Sequence, residues 1–168
     1  MKKRLAMLVL AGAMVTSSLT GCGLKDSATV ATVAGDEIPA GLANFYARMT
    51  QAQYESMYSS YLGDNMWTTE ASEGKTYEKL VKDEVLKDLE NMYLLEDHMD
   101  DYKISLSDDE KKAIKDAAKE FSKDNDKDDK EKVSGDTEYV ERYLTLATIK
   151  QKMTDAIEAE ADTNVTDD

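Results

Sequence analysis

The chain has 168 residues and a formal charge of −14, from 21 basic and 35 acidic side chains. One Cys and one His exclude a disulfide framework and a cysteine- or histidine-rich metal centre, and one Pro with eight Gly is too few for a turn-dense β-sandwich. The acidic balance excludes sequence-blind binding of nucleic acid, which needs a basic surface to neutralise phosphates.

Residues 1–21 read as a secretory leader. Lys2, Lys3 and Arg4 form a basic start, and Leu5 to Leu19 carries no charge. As a helix this run would be about 22 Å long, short of the roughly 30 Å of a hydrocarbon core. Leu19-Thr20-Gly21-Cys22 follows and resembles the lipobox of bacterial lipoproteins, in which the Cys is diacylated and becomes the first mature residue. Two acyl chains matter because one holds only weakly. Processing removes three of the 21 basic residues and none of the 35 acidic ones, so the charge moves from −14 to −17. It also consumes the only thiol. Residues 22–28 are then the lipidated Cys and a short polar tether.

Thr29 to Val33 is β-branched and reads as a strand, Ala34-Gly35-Asp36 as a turn, and Pro39 as a first helical residue. The spacing of Leu42, Phe45, Tyr46, Met49, Ala52 and Met57 predicts a helix from Ala40 to Leu62. Gly63, Asp64 and Asn65 break it, and a polar loop holding Met66 and Trp67 continues through Gly74. A second helix is expected from Tyr77 to Asp101, its stripe being Val81, Val85, Leu86, Leu89, Met92, Tyr93 and Met99. Glu96 falls within that stripe, either as a buried carboxylate or where the stripe frays into water. Ser107-Asp108-Asp109-Glu110 fits a capping box, followed by Ile114, Ala117, Ala118 and Phe121 at helical spacing. Lys123 to Lys132 contains no apolar residue and is expected to be a solvated, mobile connection or a frayed helix end. A fourth helix should span Thr137 to Ala161, with Tyr139, Tyr143, Leu146, Ala147, Met153 and Ile157 facing inward. The expected fold is mainly α: a bundle-like domain of about four helices with a short N-terminal β element.

Three segments resemble, in order, the SurA N-terminal and PrsA-like foldases. Ala31-Thr32-Val33-Ala34-Gly35-Asp36-Glu37-Ile38 is similar to their strand–turn opening. Tyr102-Lys103-Ile104-Ser105-Leu106-Ser107-Asp108-Asp109-Glu110 looks like the segment that opens a middle helix. Asn164-Val165-Thr166-Asp167-Asp168 looks like the start of the helix leading into a parvulin domain. Ala34 stands where the family often has Asn, and Pro39 where a Ser or Thr cap usually follows the Ile. The resemblance implies a chaperone-like domain over residues 29–165, with 166–168 beginning a connector to an isomerase domain not contained in this chain. It implies unfolded or nascent secreted proteins as partners, at the outer face of the bacterial cytoplasmic membrane. Parvulin sites in the family pair His residues, and His98 alone does not supply them. No catalytic residue, cofactor or metal is expected.

Asp124-Asn125-Asp126-Lys127-Asp128 matches the first acidic positions of an EF-hand loop, but Asp129 and Gly135 stand where that loop needs its Gly and its bidentate Glu. His98 reads as a solvent-facing helix residue. The candidate client-binding residues lie on and after helix one. Tyr54, Tyr58 and Tyr61 form a stripe roughly opposite the Leu42/Phe45/Met49 face, so the helix has two apolar sides. Either both are core, or the stripe together with Met57, Met66 and Trp67 is partly exposed and touches clients, to which flexible Met and flat aromatic side chains are suited. An adaptor lipoprotein docking one dedicated envelope partner remains the alternative. A two-lobed solute-binding lipoprotein would need alternating strands and helices that this sequence lacks.

Overall fold

The computed structural model describes residues 25–63, 65–72 and 74–160. The leader, Cys22, the end of the last helix at Ala161 and the connector 166–168 lie outside the described residues. The architecture is mainly helical, as the periodicity predicts.

Thr29–Val33 (β1) pairs antiparallel with Asp36–Pro39 (β2). Ala34 at φ 53° and Gly35 at φ 99° form the connection, the two positive angles of a type I′ turn. Asp36 and Pro39 are therefore strand residues, not the end of a turn and the start of a helix. The reason is Ile38: its side chain is wholly buried, which draws the segment against β1, and Pro39 closes the pairing opposite Thr29. A Pro is tolerated at the end of such an edge strand. Ala34 is strained at positive φ, a conformation that costs a non-glycine residue about 1–2 kcal/mol. Asn accepts it more readily. Ala34→Asn should therefore stabilise the domain by about 0.5–1 kcal/mol, seen as a higher urea midpoint with an unchanged slope. An unshifted midpoint would show that the turn carries no strain.

Ala40–Leu62 (α1) has the bounds that its spacing predicts. Its first N–H groups are satisfied from outside the helix. Ala40 N–H donates to Ala28 O at 2.7 Å and Gly41 N–H to Asp26 O at 2.8 Å. Ser134 Oγ donates to Asp26 Oδ1 at 2.9 Å, and Asn44 Nδ2 donates to Ser134 Oγ at 2.9 Å. Position 41 must be Gly, because an added Cβ would overlap the Tyr139 ring and come within 2.9 Å of Asp26 Cβ.

After α1, Met66–Thr68 makes one 3-10 turn, and Glu70–Ser72 (β3) pairs with Lys75–Thr76 (β4). Tyr77–Asp97 (α2) starts with Thr76 Oγ1 accepting from Lys79 N–H at 3.3 Å. The helix stops at Asp97 rather than Asp101. A 3-10 turn, Met99–Tyr102, takes over and is closed by Lys103 in the left-handed region at φ 56°. Asp108–Asp124 (α3) carries the expected capping box. The Glu110 carboxylate accepts from Lys152 Nζ at 2.8 Å and from Ser107 N–H at 2.7 Å, which together hold it well below the usual range, at about 2.

The charged stretch 123–132 is not a mobile connection. Lys123 and Asp124 complete α3, and Lys127–Val133 forms a further helix, α4. Asp126 caps it, its Oδ1 accepting from Asp129 N–H at 2.9 Å. Lys130 Nζ donates to Ser122 O and Oγ at 3.0 and 3.1 Å, folding α4 back against α3. Val133, one residue past the stretch, joins the apolar cluster of Phe45, Phe121 and Val140. The carboxylates that resemble a calcium loop thus belong to a helix end and a helix cap. Thr137–Glu160 (α5) follows.

The core lies where α1, α2 and α5 meet beneath the β1–β2 hairpin. Ile38, Leu42, Val85, Leu89, Met92 and Leu146 fill it. A second cluster brings α3 and α4 onto α1 and α5, with Phe45 edge-on to Phe121 at 5.5 Å and to Tyr143 at 5.7 Å. Ala117 and Ile157, expected to face inward, are exposed; α3 is buried through Ile114 and Ala118, and Ile157 lies near the end of α5.

Candidate functional site

The first half of α1 is enclosed: Leu42, Ala43 and Phe45 point in different directions and are all buried. The second half is not. From Ala52 to Tyr61 every described side chain except Tyr54 is exposed, with Ser59 outside that description. Met49, Ala52 and Met57, predicted to continue the inward face, are on the surface instead. Beyond Thr50 the helix is packed on one side only, by α2 and the Met66–Thr68 turn, so the apolar face has outrun its neighbours.

This surface is poor in charge. Met49 to Leu62 contains one charged residue, Glu55, in a protein that is 33% charged. Large apolar groups share it with the uncharged polar Gln53, Ser56 and Ser60. Tyr61 is 85% exposed, Met57 53% and Tyr58 40%.

The six candidate residues divide three ways. Met57, Tyr58 and Tyr61 form the open surface. Tyr54 and Trp67 are half-buried and support it. The Tyr54 ring sits 5.6 Å from Tyr58 and 6.3 Å from Trp67. Tyr54 OH donates to Glu84 Oε2 at 3.3 Å, which fastens α1 to α2. Burial and then the Glu84 carboxylate push the Tyr54 phenol up. Trp67 Nε1 and Gln51 Nε2 both donate to Glu55 Oε1 at 2.9 Å, and these two hydrogen bonds lower the Glu55 carboxyl. Met66 does not belong to the surface. It is 2% exposed, because the 3-10 turn directs it inward as a plug under the loop. Only its place in a polar loop suggested exposure.

His98 ends α2, with Nδ1 2.9 Å from Asp101 Oδ2, its one ion-pair partner among the described residues. Glu96 is neither frayed into water nor an isolated buried acid. It forms a two-pronged pair with Arg142, both oxygen–nitrogen distances being 2.6 Å. The guanidinium also lies 4.7 Å from the centre of the Tyr93 ring. Arg142 stands 46 residues away in sequence, so no local spacing signals this pair.

No family model, no curated protein and no solved structure matches the chain.

Proposed function

We propose that this protein is a lipid-anchored lipoprotein outside the bacterial cytoplasmic membrane whose helical domain holds unfolded or nascent secreted polypeptides. One observation carries the reading: the second half of α1 offers Met57, Tyr58 and Tyr61 on a charge-poor surface of an otherwise highly charged protein. Contiguous exposed apolar surface of this kind marks a contact site. Adaptable Met and flat Tyr suit clients without a fixed shape. Each aromatic contact adds about 1 kcal/mol, so binding by two or three is weak and reversible, as a holding chaperone requires. The ordered resemblance to the SurA and PrsA-like foldases supports the same reading.

Tyr58→Ser/Tyr61→Ser should sharply reduce the suppression of aggregation of several unrelated unfolded proteins. Both residues are exposed, so the melting temperature should stay within about 2 °C of the parent. Undiminished suppression would overturn the assignment of the surface, and binding to one protein only would favour the adaptor. For the anchor, Cys22→Ala in a processing-competent bacterium should abolish acyl labelling. Unchanged labelling would refute attachment there.

A further inference from the structure

We propose that residues 26–28 are a latch for α4: the segment and the helix dock and undock as one unit, so that drawing the segment away opens the corner between α4 and α5. α4 does not hold itself in place. It has six charged residues and one apolar one, Val133, and only Lys130 and Val133 are shielded from water. Burial of one Val does not by itself offset the backbone entropy of ordering seven residues.

Ser134, which ends α4, supplies a further tie. It is the one Ser, Thr, Asn, Gln or charged residue that is buried among the described residues, at 3% exposure. Its backbone is left-handed at φ 50°, a strained angle for a residue with a side chain. Its hydroxyl is bonded on two sides. Oγ accepts from Asn44 Nδ2 on α1 at 2.9 Å and donates to Asp26 Oδ1 at 2.9 Å. Beyond it the chain has no slack, because an added Cβ at Gly135 would come within 2.8 Å of the Phe121 ring and 3.1 Å of Val133. A change of angle at Ser134 is therefore passed on to Val133 and lifts it from the cluster of Phe45, Phe121 and Val140.

The segment is equally committed at its other side. Asp26 O and Ala28 O accept from the first N–H groups of α1, and a Cβ at Gly41 would meet Asp26 Cβ at 2.9 Å. Asp26 thus holds the start of α1 by its backbone and the end of α4 by its side chain, 108 residues away in sequence. Backbone strain of the kind seen at Ser134 persists only while its surroundings enforce it, and this gives the corner two states. When Asp26 withdraws, the Ser134 hydroxyl loses its acceptor, φ relaxes to a negative value and α4 comes off α1. Cys22 stands four residues before Asp26. Under the lipid-anchored reading above, on which only this last step rests, a pull between bilayer and domain acts on the latch first.

The test is hydrogen exchange of the full chain, read at single amides. In the parent, the Ala40, Gly41, Lys130 and Gly135 amides should exchange together, and faster than that of Leu89, which opens only with the core. Asp26→Ala should speed Lys130 and Gly135 about tenfold. Asp26→Asn, which keeps an acceptor at Oδ1, should stay within about threefold of the parent. Val133→Ala, at the other end of the unit, should speed Ala40 and Gly41 by the same factor as Lys130 and Gly135, because coupling between two docked parts is reciprocal. If Val133→Ala speeds α4 and leaves Ala40 and Gly41 unchanged, the two parts open separately and the latch is overturned. Parental protection of Lys130 and Gly135 in Asp26→Ala would overturn it too, as would an Asn variant that exchanges as fast as the Ala one. These rates are read on the chain without acylation, so loss of the anchor at Cys22, tested by acyl labelling, leaves the latch standing.

Discussion

Truncating Leu146 to Ala should lower stability by about 3 kcal/mol, on the order of 10 °C in melting temperature. Leu146 is fully buried where α5 meets α1 and α2, among Leu42, Leu89 and Met92. Removing its branched end withdraws apolar surface from the core and leaves a cavity between helices that cannot close in. The urea midpoint should fall with the slope unchanged, because the cost lies in the folded state. Ile157→Ala is the control: it removes a similar volume from a side chain that is 38% exposed, and should cost well under half as much. Equal losses at the two positions would mean that the helices are not seated on one another as described.

The second large effect concerns Arg142. Burial disfavours its charge, but the two hydrogen bonds from its guanidinium to Glu96 more than offset this and raise its pKa. Arg142→Ala would leave the Glu96 carboxylate half-buried without a partner. The loss should be about 2–3 kcal/mol, below the 3–5 expected of a fully buried pair, since both side chains keep some contact with water. Removing both charges tests whether the pair or the orphaned carboxylate matters. Glu96→Leu/Arg142→Leu should recover most of the loss, because an apolar replacement has no charge to desolvate. A double variant as unstable as Arg142→Ala would show that the guanidinium acts chiefly by packing on Tyr93, 4.7 Å away.

The helices were legible because their signals are local. The α1 bounds follow from spacing and from Gly63, and the α3 start follows from Ser107 and Glu110, four adjacent residues with one reciprocal hydrogen-bond pattern. Most of the misses depend on contacts distant in sequence; the start of α4 is the exception, a local cap at Asp126. Residues 123–132 contain no apolar side chain, yet Asp126 starts α4 as its cap and Val133, just outside the stretch, docks it. The α1 periodicity runs through Met49 and Met57, but periodicity says where an apolar face points and not whether anything covers it. For the same reason the Tyr stripe was visible while its division was not. Tyr54 is tied down by Glu84, 30 residues on, whereas Tyr61 is 85% exposed.

The hydrogen bonds at Asp26 also set a length. This residue is fastened to Gly41 and Ser134, so the folded body begins four residues after Cys22. Four Cα–Cα steps span at most about 15 Å, less than half the length of α1, whose 23 residues rise about 34 Å. With acyl chains on Cys22, the domain would be moored rather than tethered, unable to stand off from the bilayer by even its own diameter. If the domain holds clients as proposed, such a mooring would confine capture to chains emerging close to the lipid surface. A Gly/Ser insertion after Leu24 would lengthen that reach without touching the fold.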